Sequence, residues 1–440
     1  MTGTDRVAAS LRQLRASLDR SQWLTAAEVA EGQRRGVATM VAQHAAATPA
    51  FARRLRVAGL RPDDVAAPGG LQRLPLLTRR DIVAAGRDLF ATSMPPAYEP
   101  ARETRTSGST GEPVVVRRTA VDWLLWSAIS LRELDWHAVD YSMRYSSLRA
   151  TLPRLVEQPS WGPPIDLVER TGPAQAIPIT TPIEEIAAHL DAFRPGIVLV
   201  YPTVLGALVD HWEARGRSLP GVAVVQTIGE ILDPDVRDAT TAALGCALLD
   251  TYSSQELGQI AVDCPSASGA KHVMAENVVV EVLDDDGAPT APGEVGRVVV
   301  TALQNMATPL IRYEIGDLAV ASPPCACGRG LPTLGRIVGR RRNLVVHPDG
   351  RRHFPLVGFS RFQEVAPIVQ YQCVQHAVDD IEVRLVVHRA MTAAEEAALT
   401  DVIQGALGHP YPLRFTYVEG TLPRGPGGKF EEFVTRVDSA

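Results

Sequence analysis

The chain has 440 residues, 45% of them apolar and 21% charged, with a formal net charge of −6. That length exceeds one ordinary hydrophobic core and predicts two or three domains of globular composition. No long basic block and no apolar run of bilayer length occurs, which argues against nucleic-acid and membrane partners.

The first twenty residues are charged and amphipathic without the apolar core of a signal peptide, so a cytoplasmic location is expected. Residues 1–60 read as helices. Thr25 and Glu28 form a capping-box pattern ahead of a segment that runs to about His44. Residues 61–100 are punctuated by Pro62, Pro68-Gly69-Gly70 and Pro95-Pro96, which predicts short helices and loops, with Thr78 capping one helix.

Glu103 to Val116 reads ETRTSGSTGEPVVV. Gly108 and Gly111 permit backbone angles that let successive N–H groups turn inward around an anion. Thr106, Ser107, Ser109 and Thr110 add hydroxyl donors. The β-branched run after Pro113 predicts a strand leaving the loop. This is not a Walker loop, since no Lys-Ser or Lys-Thr follows Gly111. On local pattern a polar surface turn is the competing reading.

Asp122 to Trp126 reads as an apolar helical stretch packed in the core. Short apolar runs then alternate with helices: Gly196 to Tyr201, Gly221 to Val225 and Cys246 to Asp250, with a helix from Thr203 to Arg215 stopped by Gly216. That alternation predicts a buried parallel sheet in an α/β domain. Ligands of such sheets sit beyond the carboxyl ends of the strands. This places Tyr201-Pro202, Gly229-Glu230 and Tyr252 to Glu256 on one rim.

From about residue 276 the pattern turns to β, with strands at Val278 to Leu283 and Val295 to Thr301. The Asp284-Asp285-Asp286-Gly287 between them lacks EF-hand spacing and reads as a solvated turn. A third β segment runs through Pro309 to Tyr313 and on to Gly316-Asp317. The last hundred residues form a smaller α+β unit. It comprises a hairpin around His347 to Gly350, a strand from Ile381 to His388, a helix capped by Thr392 and Glu395, and a strand from Leu413 to Val418. A glycine-rich tail, Leu422 to Phe430, holds Lys429.

Five cysteines in a chain this long do not make a disulfide framework. Cys246 lies in an apolar strand and Cys373 in Tyr371-Gln372-Cys373-Val374; both read as core. Cys264, His272, Cys325 and Cys327 offer three thiolates and one imidazole, a closed tetrahedral set suited to structural Zn2+. The set would join the loop after the Glu256 segment to the loop after Asp317.

The order of these pieces resembles the adenylate-forming superfamily of acyl- and aryl-CoA synthetases, peptide-synthetase adenylation domains and luciferases. The closer resemblance, over roughly residues 75–436, is to its phenylacetate-CoA ligase branch. It implies an α/β large domain with mixed sheets and a β-rich subdomain at 1–338, and a small mobile α+β lid at 339–440. It further implies that Thr106, Ser107, Gly108, Ser109, Thr110 and Gly111 hold the β- and γ-phosphates of ATP. Gly229 and Glu230 would lie beside the adenine, with Tyr252 near the base. Glu256 would hold Mg2+, Asp317 and Arg340 would reach the ribose or phosphate, and Lys429 would bridge the attacking carboxylate and the α-phosphate. Trp136, His137, Tyr201, Pro202 and Ser253 would line the acyl pocket. The implied activity is adenylation of a carboxylic acid, aryl by expectation, followed by transfer to CoA; a homodimer is the expected assembly. Arg342 stands where the superfamily often has Asp or Lys at the domain hinge. In Tyr252-Ser253-Ser254-Gln255-Glu256, where the superfamily commonly has Tyr-Gly and a Thr before the Glu, Ser254 and Gln255 supply polar groups instead. The Arg342 hinge motivates a second reading, transfer to an amine, a carrier protein or nitrite. A third is a non-catalytic nucleotide-binding protein on the same fold.

Overall fold

The computed structural model describes residues 3–105, 114–150, 152–266, 270–340, 344–353, 362, 365–422 and 430–437. Helices α1 (Gly3–Ser21), α2 (Ala26–Ala47), α3 (Pro49–Val57) and α4 (Pro62–Ala66) open the chain. Thr25 and Glu28 form the expected capping box on α2, satisfying N–H groups that a helix start leaves unpaired. Thr78 and Asp81 do the same for α5 (Arg79–Ala85).

The Ser/Thr/Gly stretch is carried by a hairpin. β1 (Arg102–Arg105) pairs antiparallel with β2 (Val115–Arg118), with Arg105 opposite Val115. The loop itself, 106–113, lies outside the described residues, and with it the six phosphate-loop assignments. Its exit strand is anchored by Val114 and Val116, which pack in one core cluster with Tyr252, Leu257 and Tyr313. α6 (Ala120–Trp136) corrects one expectation. Leu125, Ala128 and Ile129 are buried, but Trp123 and Trp126 are 39% and 36% exposed. They fall on the opposite stripe of a 3.6-residue period, so the aromatic pair is not core.

Next come β3 (Tyr145–Arg149), β4 (Val156–Gln158), β5 (Ala174–Pro178), α7 (Ile183–Phe193), β6 (Ile197–Val200), α8 (Pro202–Glu213), β7 (Val224–Ile228), α9 (Pro234–Leu244) and β8 (Ala247–Ser254). β7 starts three residues later than the apolar run suggests. The antiparallel set β9 (Gly258–Asp263), β10 (Lys271–Val273), β11 (Val278–Leu283), β12 (Val295–Ala302), β13 (Tyr313–Ala321) and β14 (Thr333–Arg340) follows. All but the hairpin join one twelve-stranded sheet in the order β11-β12-β13-β14-β10-β9-β8-β7-β6-β3-β5-β4. β8 couples the two halves: it is parallel to β7 and antiparallel to β9. The parallel half buries Val, Ile and Leu under α7 and α8, as a sheet covered by crossover helices requires.

Past β14 the chain builds separate sheets. β15 (Val345–Val346) and β16 (Arg352–His353) pair around the predicted turn. β17 (Ile368–Ala377), β18 (Asp380–Val387), β19 (Leu413–Tyr417) and β20 (Phe433–Thr435) form a four-stranded sheet in the order β19-β18-β17-β20. α10 (Ala393–Leu407) supplies Leu399, Ile403 and Leu407 to a core of its own with Tyr371, Cys373 and Leu385. The expected boundary at 338/339 falls near the end of β14. Among the described residues no helix is long and apolar enough to cross a membrane.

Candidate active site

Strand register builds the rim. Val200, Thr227 and Asp250 are aligned across β6, β7 and β8, and Ile228 lies opposite Thr251. The residues just beyond, Gly229-Glu230 and Tyr252-Ser253, therefore emerge side by side. Gly229 sits at φ 81°, in the left-handed region where a side chain is strained. β13 crosses to meet them: the Tyr252 hydroxyl donates to Asp317 Oδ2 at 2.8 Å, and both residues are buried. Asp317 also stands opposite Arg340 in the β13–β14 register.

These residues surround a cavity of about 350 Å3. Gly229, Glu230, Tyr252, Ser253 and Asp317, from different parts of the sequence, share it with Asp250, Thr251, Lys271, Arg237 and Arg336. Phe430 and Glu431 of the C-terminal tail close one side. Glu230 ties that tail down: its Oε2 accepts from Thr203 N and Oγ1 at 3.0 and 2.7 Å, and its Oε1 accepts from Phe430 N at 3.1 Å. Lys429 lies outside the described residues, as does Arg342.

Glu256 does not line the cavity. It is buried in the turn between β8 and β9, where it attracts the Arg118 guanidinium at the end of β2. It thus faces the base of the hairpin that carries the Ser/Thr/Gly loop. Tyr201 and Pro202 begin α8, and their successor Thr203 holds Glu230. Trp136 and His137 go elsewhere. α6 packs on Val262 of β9, so its carboxyl end emerges beside the Cys/His cluster. The Trp136 ring meets His272 edge-on at 5.6 Å, and His137 Nε2 lies 3.3 Å from the Asp263 carbonyl. Neither residue lines the cavity described above.

Cys264, His272, Cys325 and Cys327 converge, with ligand atoms all within 4.8 Å of one another. Cys264 Sγ and Cys325 Sγ are 3.7 Å apart, and His272 Nε2 and Cys327 Sγ 3.2 Å. A disulfide needs about 2.05 Å. Tetrahedral Zn–S bonds of about 2.3 Å give an S···S edge of about 3.7 Å. Burial lowers the His272 imidazole to about 4, which keeps the ring neutral as a ligand must be.

The sequence reading did not single out the buried charges beneath the cavity. Lys271 Nζ lies 2.7 Å from both Asp250 Oδ2 and Asp263 Oδ1. Burial opposes its charge, yet the two carboxylates hold the ammonium above its usual range. Arg237 reaches Asp263 at 3.1 Å. Lys271 directly precedes His272, and Asp263 directly precedes Cys264. Alternation along a strand sends neighbours to opposite faces, so metal ligands on one face imply partners on the other. That was the available signal.

No protein-family model matches the chain. Its curated relatives include the phenylacetate-coenzyme A ligases of Escherichia coli and Thermus thermophilus. They are 28% and 26% identical over 317 residues, covering 68% of this chain and 68% and 67% of theirs. A solved 2-hydroxyisobutyryl-CoA ligase in its postadenylation state, in complex with 2-HIB-AMP, superposes with a TM-score of 0.74 at 18% identity, over 96% of this chain and 92% of that one. The same ligase in the thioesterification state gives 0.63 at 17%. The fold is that of the adenylate-forming CoA ligases. In sequence the chain is similar to phenylacetate-CoA ligases, at 26–28% identity.

Proposed function

We propose that this chain is an AMP-forming ligase that activates an aryl carboxylic acid with ATP and passes the acyl group to CoA. The observation that carries the reading is the single cavity in which Gly229, Glu230, Tyr252 and Asp317 meet the tail residue Phe430. The curated relatives' activity on phenylacetate supports the aryl acid and CoA.

Adenylation replaces a poor leaving group by AMP. In this reading Asp317, oriented by Tyr252, accepts hydrogen bonds from the ribose hydroxyls. Gly229 and Glu230 flank the adenine. The hairpin loop 106–111 holds the terminal phosphates, and Arg340 reaches the ribose or phosphate. Glu256, beside the base of that hairpin, holds Mg2+, a hard cation that neutralises phosphate charge. Lys429, the residue before Phe430, bridges the substrate carboxylate and the α-phosphate and stabilises the charge that develops there. Cys264, His272, Cys325 and Cys327 hold a structural zinc ion.

Acid-dependent ATP–pyrophosphate exchange tests the first half-reaction, and thioester formation with CoA the second. Lys429→Ala is expected to lower exchange by roughly 100-fold or more, as loss of a transition-state contact does. An unaffected variant refutes its role. A product formed without CoA shifts the reading to another acceptor.

A further inference from the structure

We propose that the acid activated at this site carries an amino group, and that Glu133 and Gln259 are the acceptors that select it. The inference rests on the adenylating reading above and names its substrate class.

Glu133 projects from α6 and is completely buried. Its Oε1 accepts from Thr251 Oγ1 at 2.6 Å; its Oε2 accepts from Gln226 Nε2 at 2.7 Å and from Gln259 Nε2 at 3.3 Å. Thr251 also lines the cavity, so the carboxylate lies one side chain behind the wall. Gln226 is only half-buried, so the cluster is not sealed.

The balance of donors and acceptors is uneven. The ammonium of Lys271 is shared by Asp250 and Asp263. No cation forms an ion pair with Glu133 among the described residues. Burial pushes its carboxyl up to about 7, although the Thr251 hydrogen bond and the more distant Lys271 charge pull the other way. Gln259 is 5% exposed, and its Oε1 has no hydrogen-bond partner among the described residues. Its amide nitrogen is spent on Glu133, which places the bare oxygen at the same cluster. Buried acceptors are rarely left without donors. Here a carboxylate and an amide oxygen stand together beside a cavity, with the neighbouring donors used.

A ligand can supply what is missing. A hydroxyl brings one proton, enough for one acceptor. An amine brings two or three, enough for both Glu133 and Gln259, and as an ammonium it adds the counter-charge. Sites built to hydrogen-bond a substrate group reject the analogue that lacks it far more strongly than apolar pockets discriminate by size.

The test is ATP–pyrophosphate exchange by the full-length protein with matched pairs of acids: aminobenzoates, aminophenylacetates and α-amino acids against their des-amino counterparts. At least one amino acid of a pair should exceed its counterpart roughly 100-fold in kcat/KM. Glu133→Gln should collapse that ratio, mainly through KM for the amino acid. Equal use of both members of every active pair overturns the inference but not the ligase reading. An equal loss on both members in Glu133→Gln also overturns it, because a merely structural role would act that way. Exchange with no acid at all refutes the ligase reading and the inference with it. If Glu133→Gln does not fold, the wild-type ratios and Gln259→Leu decide the matter by the same criterion.

Discussion

His44 shows how a single buried ring couples the fold to pH. It lies wholly inside the helical cap on the sheet, with Nδ1 2.8 Å from Thr48 Oγ1 and Nε2 2.9 Å from the Asn305 carbonyl. A carbonyl can only accept, so Nε2 carries the proton and Nδ1 accepts from Thr48 in the neutral ring. Burial lowers its pKa from 6.5 to about 4. The unfolded chain therefore binds the proton more readily than the native one. Stability is complete above pH 6.5 and is lost as pH falls toward 4, by about 3 kcal/mol if this ring alone is counted. Thermal unfolding from pH 7.5 to 4 should show that loss. His44→Gln, less stable at neutral pH, should show a visibly flatter profile; parallel profiles would refute the assignment. Gly229 is a second residue-scale case. At φ 81° an alanine costs on the order of 1–2 kcal/mol of backbone strain. Because the turn lines the cavity, Gly229→Ala should raise KM for ATP several-fold while the protein still folds.

Among elements, the loop between β13 and β14 links structure to site most directly. It brings Cys325 and Cys327 to Cys264 and His272, whose sequence neighbours Asp263 and Lys271 form the ion pair under the cavity. Elemental analysis should find close to one zinc per chain, and Cys325→Ser should remove most of it. The variant should also melt lower and bind ATP more weakly, since the cavity floor loses its brace. A protein purified without zinc, or zinc unchanged in the variant, would refute the site. What was legible in the sequence follows the range of the interactions. The capping boxes at Thr25, Thr78 and Thr392 are settled within four residues, and all three form. β11 spans Val278–Leu283 as its apolar run predicts. β17 was missed because Gln370, Gln372 and Gln375 break its pattern; Gln375 is buried only because it spans the Val346 N–H and carbonyl. The Cys/His set was legible from ligand chemistry. Glu133 and Asp250 were not, since each reads as a solvated charge until tertiary packing removes the water.

At the scale of the whole molecule, the two units meet where the reaction is proposed to occur. Glu230 spends one carboxylate oxygen on Thr203 at the start of α8 and the other on the Phe430 amide. The large unit thus holds the tail by a charge-assisted hydrogen bond, worth about 1.5 kcal/mol at a half-buried position. That is a tenfold bias between docked and undocked tail. The arrangement is nearer to the postadenylation state of the 2-hydroxyisobutyryl ligase than to its thioesterification state, at TM-scores of 0.74 and 0.63. A contact of this modest size holds the tail less firmly than a large apolar interface would. Glu230→Ala should therefore speed tryptic cleavage between the units, where Arg340, Arg341 and Arg342 supply sites, by up to about tenfold. Its melting temperature should hardly change, because each unit keeps its own core. Wild-type cleavage should slow when ATP and a substrate acid are added, and the variant should recover less of that protection. Identical cleavage rates in both proteins would show that the Phe430 contact does not hold the units together.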